Sequence, residues 1–519
     1  MSQQGHVVET MFQMTNRLRG ELDALHSPQA QVGDRRPPPC PIIVGKVRDQ
    51  TRNVDKDEYD PDHLAIGPYN YARRHLAMER EKLMSLNMVR TAARARRPGM
   101  PLEVFVNELE FLEESVRNCY ANTFPDIKSE QFVRMLLLDG CYILSCLVDL
   151  KPRAQPMDDA AAGTANAGVL AANGAEAPAT ANAGVLEVGT ANANAGVLSA
   201  ANGAEAARTA NADVGGVSEK RVEVEALTML RDVFYLAENQ IPFIVLEKIG
   251  ELTGLEGNDS VFREAQKYSL KLMRAQKYAM AAPASEPAVP GNLLHLLHMH
   301  LKPARSISPA APVSGTVRRW RSAMDYYFAG VVFKRREMSE TWCSSDGVML
   351  APRCILDVKL SSGGGTLEVP VLDIDAETWR LLRNLMELEQ RNRETVGSDV
   401  TAYCVFISQV ACTSKDVELL TKSGVIVHGQ GNNDEVAKCF ADLCKGIIFD
   451  PDDPDCNYLR ETCKKLEKRF HNHPQRWMAW LRRNYFSNPW LAVGLLAAVI
   501  GLVCAIVQAV YSVLSYKHG

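Results

Sequence analysis

The spacing of apolar residues along the chain predicts a mostly helical protein. Val104, Val106, Leu109, Leu112 and Val116 recur at helical intervals, and SEQFVRMLLLDGCYILSCLVDL, capped by Ser129, is apolar on nearly every side. Arg134 and Asp139 inside that second run would each cost roughly 2.5 to 3.5 kcal/mol at a bilayer centre, so the helix belongs in a protein core with internal partners for its polar groups. Leu76, Met78, Leu83 and Met84, among many charges, predict a surface helix after the turn at Gly67 and Pro68. Further on, a helix runs to about Glu238, Pro242 breaks it, and a second begins with that proline in its first turn. Asp375 is placed to cap a helix that turns Trp379, Leu382, Leu385, Met386 and Leu388 inward, and Thr413 with Asp416 forms a capping box for a helix that Gly424 ends. DEVAKCFADLCKGI is another amphipathic helix, and the acidic turn 450–455 caps a basic helix over 456–470.

Between 356 and 371 the period changes to two. Leu356, Val358 and Leu360, then Leu367, Val369 and Val371, flank SSGGG, which predicts a hairpin, and Pro370 places its second strand at an edge or end. Residues 331–333 precede the basic run 334–336, a solvated strand end. The longest apolar run is the last, 490–514, with no Asp, Glu, Lys or Arg between Arg483 and Lys517. It meets the roughly 20-residue length that crosses a bilayer, so a single C-terminal transmembrane helix is expected. Arg482, Arg483, Trp490 and Lys517 mark its boundaries, and the basic, aromatic stretch before it points to a membrane surface. The fold class expected is therefore mainly α with a small antiparallel β hairpin or sheet (α+β), plus that helix.

Composition adds boundaries. The segment 1–39 holds a short amphipathic helix with Val8, Met11, Leu18, Leu22 and Leu25 at heptad positions, and ends in a proline-rich run. A folded domain occupies 40–152 and 219–475, interrupted over 153–218 by repeats such as TANAGVL and ANGAEA, which have little to bury and are expected to be disordered. A basic-aromatic segment, 476–489, precedes the apolar run, and 515–519 is a short tail. The net charge of -4 gives no global attraction to nucleic acid. With no signal-peptide core at the N-terminus, the bulk is expected in the cytoplasm, tethered to a plasma membrane or endomembrane by its tail.

Candidate chemistry is sparse. The 13 cysteines include no CxxC pair and read as reduced thiols. His295, His298 and His300 lie close together, but no carboxylate or cysteine at fitting distance in sequence completes a metal site, so they read as packing residues with partly exposed rings. Glu238, Asn239 and Gln240 invite a catalytic reading, yet capping of two helix ends needs the same residue types. No linear hydrolase, kinase, nucleotide-binding or metalloprotease motif occurs. The expectation is no catalytic, cofactor or metal site.

Six motifs in order, HLAIGPYN with AMEREK, FVRMLLLDGCYIL, LAENQIPFIVLEKI, LLHLLH, DYYFAGVVFKRR and the terminal apolar helix, resemble the plant DUF247 family, also called UPF0481. The resemblance covers roughly 40–515, with the Ala/Asn repeat as the insertion of a grass-type member. Its signature falls on Ile66, Gly67, Pro68, Met78, Glu79, Asp139, Gly140, Glu238, Asn239, Gln240 and Pro242. The family has no assigned enzymatic activity, and its association with grass self-incompatibility implies pollen-side recognition. The reading is a single-pass membrane protein acting in recognition or signalling through protein partners, with the lipid bilayer as its other partner and no nucleic acid. The alternative is a membrane-tethered, hydrolase-like enzyme whose site assembles in space near Glu238, Asn239 and Gln240.

Overall fold

The computed structural model describes residues 42–148, 231–257, 260–280, 289–303, 316–339, 352–429, 431–472, 477 and 489–518. The expected N-terminal amphipathic helix, the repeat insertion, and Arg482 and Arg483 lie outside the described residues.

A first group of helices surrounds a buried one. Helices α1 (Leu76–Arg96), α2 (Leu102–Arg117), α4 (Phe243–Thr253) and α5 (Val261–Ala275) all pack on α3 (Ser129–Leu147). Phe132, Leu136, Cys141, Ile143 and Leu144 of α3 are fully enclosed, as a helix apolar on all sides requires. Gly140 makes the close approach of α4 possible: a Cβ there would stand 2.5 Å from Ile249 Cδ1. Lys128, rather than Ser129, occupies the N-cap position, and the Ser129 hydroxyl donates to Glu113 of α2 instead.

Helix α6 (Leu293–His300) joins this group to a second, built on α8 (Thr378–Arg391), α9 (Asp399–Val410), α10 (Ser414–Lys422) and α11 (Asn433–Leu443), with the short α7 (Ala323–Phe328) and α12 (Arg460–His471) alongside. The Thr413 and Asp416 capping box is formed, and Gly424 closes α10 at φ 73°. The basic helix starts at Arg460, later than expected, because 450–459 forms turns in which Asp452 holds Arg460 at 2.9 Å.

Two small sheets sit on this half. The expected hairpin is present, β2 (Lys359–Leu360) antiparallel to β3 (Thr366–Pro370). However, β3 is the central strand, for β1 (Val332–Arg336) joins its other side in parallel. Pro370 is tolerated as the last residue of β3. The second sheet pairs β4 (Leu372–Ile374) with β5 (Ile426–His428), also in parallel. The purely antiparallel sheet is thus corrected: long-range parallel pairings leave no local turn for periodicity to reveal.

The C-terminal transmembrane helix is corrected as well, because among the described residues no helix is long and apolar enough to cross a membrane. The chain does form α13 (Pro489–His518) there. Trp490 and Lys517 lie within α13 with side chains that are not described, so the boundary role expected of them has no support.

Candidate functional site

Two signature residues, Asp139 and Asn239, converge with Asp232 and Lys82 on one non-helical strip, 63–67, and hold its backbone with side chains. His63 and Leu64 N–H donate to Asp232 Oδ2 at 2.7 and 2.9 Å, Ile66 N–H to Asn239 Oδ1 at 2.8 Å, and Gly67 N–H to Asp139 Oδ2 at 2.9 Å. In return Asn239 Nδ2 donates to the Leu64 carbonyl at 2.8 Å, and Lys82 Nζ to the Ala65 carbonyl at 2.8 Å. A largely buried strip with no neighbouring strand must find such partners, and three separate stretches of sequence, around 82, 139 and 232–239, supply them. Gly67 is required at its position: φ is 69°, and a Cβ would stand 2.6 Å from the Gln240 carbonyl oxygen. Ile66 fills the core beside it.

Asp139 is the electrostatic centre. It is fully buried on α3 and ion-paired to Lys82 Nζ at 2.8 Å and to Arg74 Nη2, while Glu79 takes the other side of Arg74 at 2.9 Å and meets Arg134 at 3.3 Å. Met78 packs against the core at the same end of α1.

Glu238, Asn239 and Gln240 are 6%, 0% and 1% exposed, and each is occupied. Gln240 Nε2 donates to the Leu236 carbonyl at 2.9 Å and to the Val233 carbonyl, closing the helical turn at 231–235. Its Oε1 accepts Leu294 N–H at 3.3 Å at the start of α6. The first two bonds close the preceding helix end as expected from sequence, whereas the third goes to the start of α6 and not to α4, whose N-cap Pro242 receives no side-chain bond. Glu238 does something else: it accepts Val47 N–H and pairs with Arg52 at 2.6 Å, tying down a segment nearly two hundred residues away. Pro242 is the N-cap of α4.

Helix α8 supplies a set of polar residues that sequence reading missed. Arg380 pairs with Asp62 and Asp232, Asn384 donates to the Glu58 carbonyl at 2.8 Å, and Asn392 brackets Ile43. The signal that could have found them is the polar series 380, 383, 384 and 387, at helical spacing beside the apolar stripe. The histidines also gain partners from this helix. His298, fully buried, meets Glu389 at 2.7 Å, and Glu389 accepts the N–H groups of Val400 and Thr401 at 2.9 and 2.7 Å. Burial, then the neighbouring His298 and Lys302, holds His295 down to about 3, so it is neutral. His298 and His300 are buried rather than partly exposed, and the carboxylate missing from the local sequence comes from α8. Among the described residues no group of three or more His, Cys, Asp or Glu is placed to hold a metal ion.

Burial pushes the Glu58 carboxyl from 4.5 up to about 7, against the attraction of Arg383. The unfolded chain therefore ionises first as pH rises, so stability falls between about pH 4.5 and 7 and stays lowered above. Glu58→Gln is expected to raise stability by about 1 kcal/mol at pH 8, after allowing for solvent screening, and by almost nothing at pH 4. Melting curves of both proteins at the two pH values check this; equal gains at both would refute the assignment.

An accessible recess of about 320 Å³ lies between 316–321 and α12, lined by Thr316, Arg318, Arg319, Arg321 and Glu467. Arg321 is fixed there, donating to both Glu467 oxygens at 2.9 and 3.0 Å with its guanidinium 3.7 Å above the Phe470 ring. Arg318 and Arg319 are exposed, so the recess presents net positive charge.

The sequence profile of the DUF247 family, described as a plant protein of unknown function, matches residues 44–504. The UPF0481 protein At3g47200 of Arabidopsis thaliana is 20% identical over 482 residues, 89% of this chain and 84% of that protein. A second UPF0481 protein of Arabidopsis thaliana, At3g02645, is 26% identical over 155 residues, 30% of this chain and 28% of its own. No solved structure matches.

Proposed function

We propose that this chain, which belongs to the DUF247 family of plant proteins, is a recognition protein that works through contacts with another protein and carries no chemistry of its own. The observation that supports this reading is where its polar side chains are committed. Asp139, Glu238, Asn239 and Gln240, the groups a hydrolase would draw on, are enclosed and bonded to the protein's own backbone or cations. The exposed charged groups in the recess are the arginines Arg318 and Arg319, which recognise carboxylates. An acidic segment of a partner is the complementary surface. The family's association with grass self-incompatibility implies recognition of the same kind.

Affinity capture with the full chain, beside the double variant Arg318→Glu, Arg319→Glu, tests the reading. A reproducible partner whose binding falls about tenfold or more in the variant, and weakens with salt in the parent, is expected. Absence of any reproducible partner, or a partner indifferent to charge reversal, would contradict it.

A further inference from the structure

We propose that the recess between 316–321 and α12 takes a phosphorylated serine or threonine, carried in the acidic segment of a protein partner, with its phosphate shared by Arg318 and Arg319. This rests on the recognition reading above and names the group that the segment presents. The charges in the recess set the requirement. Arg321 and Glu467 neutralise one another through bonds at 2.9 and 3.0 Å, whereas Arg318 and Arg319, both exposed, have no ion pair among the described residues. Nearby cations of α12 are committed elsewhere, Arg460 to Asp452 at 2.9 Å and Lys464 to Glu461 at 3.6 Å. Two positive charges on adjacent residues are left uncompensated.

The backbone that carries them is anchored. Val317 and Trp320 are buried; Trp320 N–H donates to Gln409 of α9 at 2.7 Å, and its ring lies 4.8 Å from that of Phe406. Arg321 N–H donates to the Tyr326 hydroxyl of α7 at 3.3 Å. A segment held in this way has less freedom to lose when a guest arrives.

Donors and charge specify the guest. Each guanidinium is a planar fork of N–H donors that pairs with two oxygens at once. A single Asp or Glu side chain has two oxygens and one charge, so it satisfies one arginine and leaves the other. A phosphate monoester has three acceptor oxygens and a charge of about −1.5 to −2 at pH 7, enough for both. The Thr316 hydroxyl on the same rim is a further donor. At about 320 Å³ the recess falls in the size range of ligand sites, roughly 300 to 1,000 Å³, and calls for a phosphate on a larger group. Its lining of Thr316, three arginines and Glu467 offers no apolar side chain, among the described residues, to receive lipid acyl chains or the ring of phosphotyrosine, which favours serine and threonine.

Fluorescence anisotropy on the full chain would compare a labelled peptide of glutamates around a central phosphoserine with the same peptide carrying serine or glutamate there. At pH 7.5 the phosphoserine peptide is expected to bind about tenfold tighter than the glutamate peptide. The second phosphate charge is lost below about pH 6, so that ratio should fall about fourfold at pH 5.5. The glutamate peptide cancels changes in the protein's own groups, including Glu467 and the His471 that stands 3.8 Å from it. Arg318→Gln, Arg319→Gln should bring the two peptides to equal affinity, and Arg318→Lys, Arg319→Lys, which keeps the charge but not the fork, should restore only part of the preference. Both arginines are exposed, so neither variant endangers folding. Equal binding of the phosphoserine and glutamate peptides would overturn the proposal and leave an acidic partner in place. A preference that persists in Arg318→Gln, Arg319→Gln would overturn it, as would tighter binding to phosphatidylcholine vesicles containing phosphatidic acid than to the phosphopeptide. Binding of no peptide would overturn it together with the recess as a recognition site, while the capture experiment decides separately whether a protein partner exists.

Discussion

Asp139→Ala is expected to lower unfolding stability by about 3 to 5 kcal/mol, read as a fall in the urea midpoint with unchanged slope. The carboxylate is fully buried and is the counter-ion of Lys82, itself 0% exposed, and of Arg74. Removing it leaves two enclosed cations with Glu79 alone to share, at 3.5 Å from Lys82 and 2.9 Å from Arg74. It also strips the acceptor from Gly67 N–H. Against a typical total of about 5 to 15 kcal/mol, such a loss removes a large part of the margin. Asp139→Asn keeps an acceptor for Gly67 and isolates the charge contribution. A midpoint shift worth less than about 1 kcal/mol in the alanine variant would mean the pairing is not structural.

Asn239→Leu should cost about as much, for a different reason. The leucine is of similar size, but Asn239 makes four bonds: it accepts from Ile66 N–H at 2.8 Å and Asn70 Nδ2 at 3.0 Å, and donates to the Leu64 and Asp232 carbonyls at 2.8 and 3.1 Å. Each buried group left unsatisfied costs about 1 to 3 kcal/mol, so a loss of about 4 kcal/mol or more is expected. Asn239→Asp retains the two acceptor bonds and loses the two donor bonds, and should fall between. Were Asn239 catalytic instead, an activity would vanish in these variants while the melting curve stayed in place.

Features set by neighbours in sequence were legible from it. The all-round apolar character of FVRMLLLDGCYIL marked α3 as a core helix whose Asp139 needed an internal partner, Thr413 with Asp416 fixed the start of α10, and SSGGG fixed a hairpin. The six ordered motifs carried the family. Features that depend on residues far apart were not legible. Glu238 reaches Val47 and Arg52, Glu389 reaches His298, and β1 pairs with β3 across more than thirty residues. Arg380 and Arg383 drew no reading from the sequence, because helical periodicity records which side is apolar and not whether the other side is covered. The apolar run at 490–514 was read by length and charge alone, and the described part of α13 does not supply a span.

The central claim is that Asp139 and Asn239, together with Asp232 and Lys82, act as a clasp on segment 63–67, with Arg380 of α8 reaching it through Asp232 and so uniting both helical groups. Native-state hydrogen exchange of the His63, Leu64, Ile66 and Gly67 amides tests it most directly, since these four N–H groups are held by side chains rather than by a helix or sheet. They are predicted to exchange only through global unfolding, as slowly as the amides in the middle of α3. Exchange as fast as that of the exposed residues 55–57 would contradict the account.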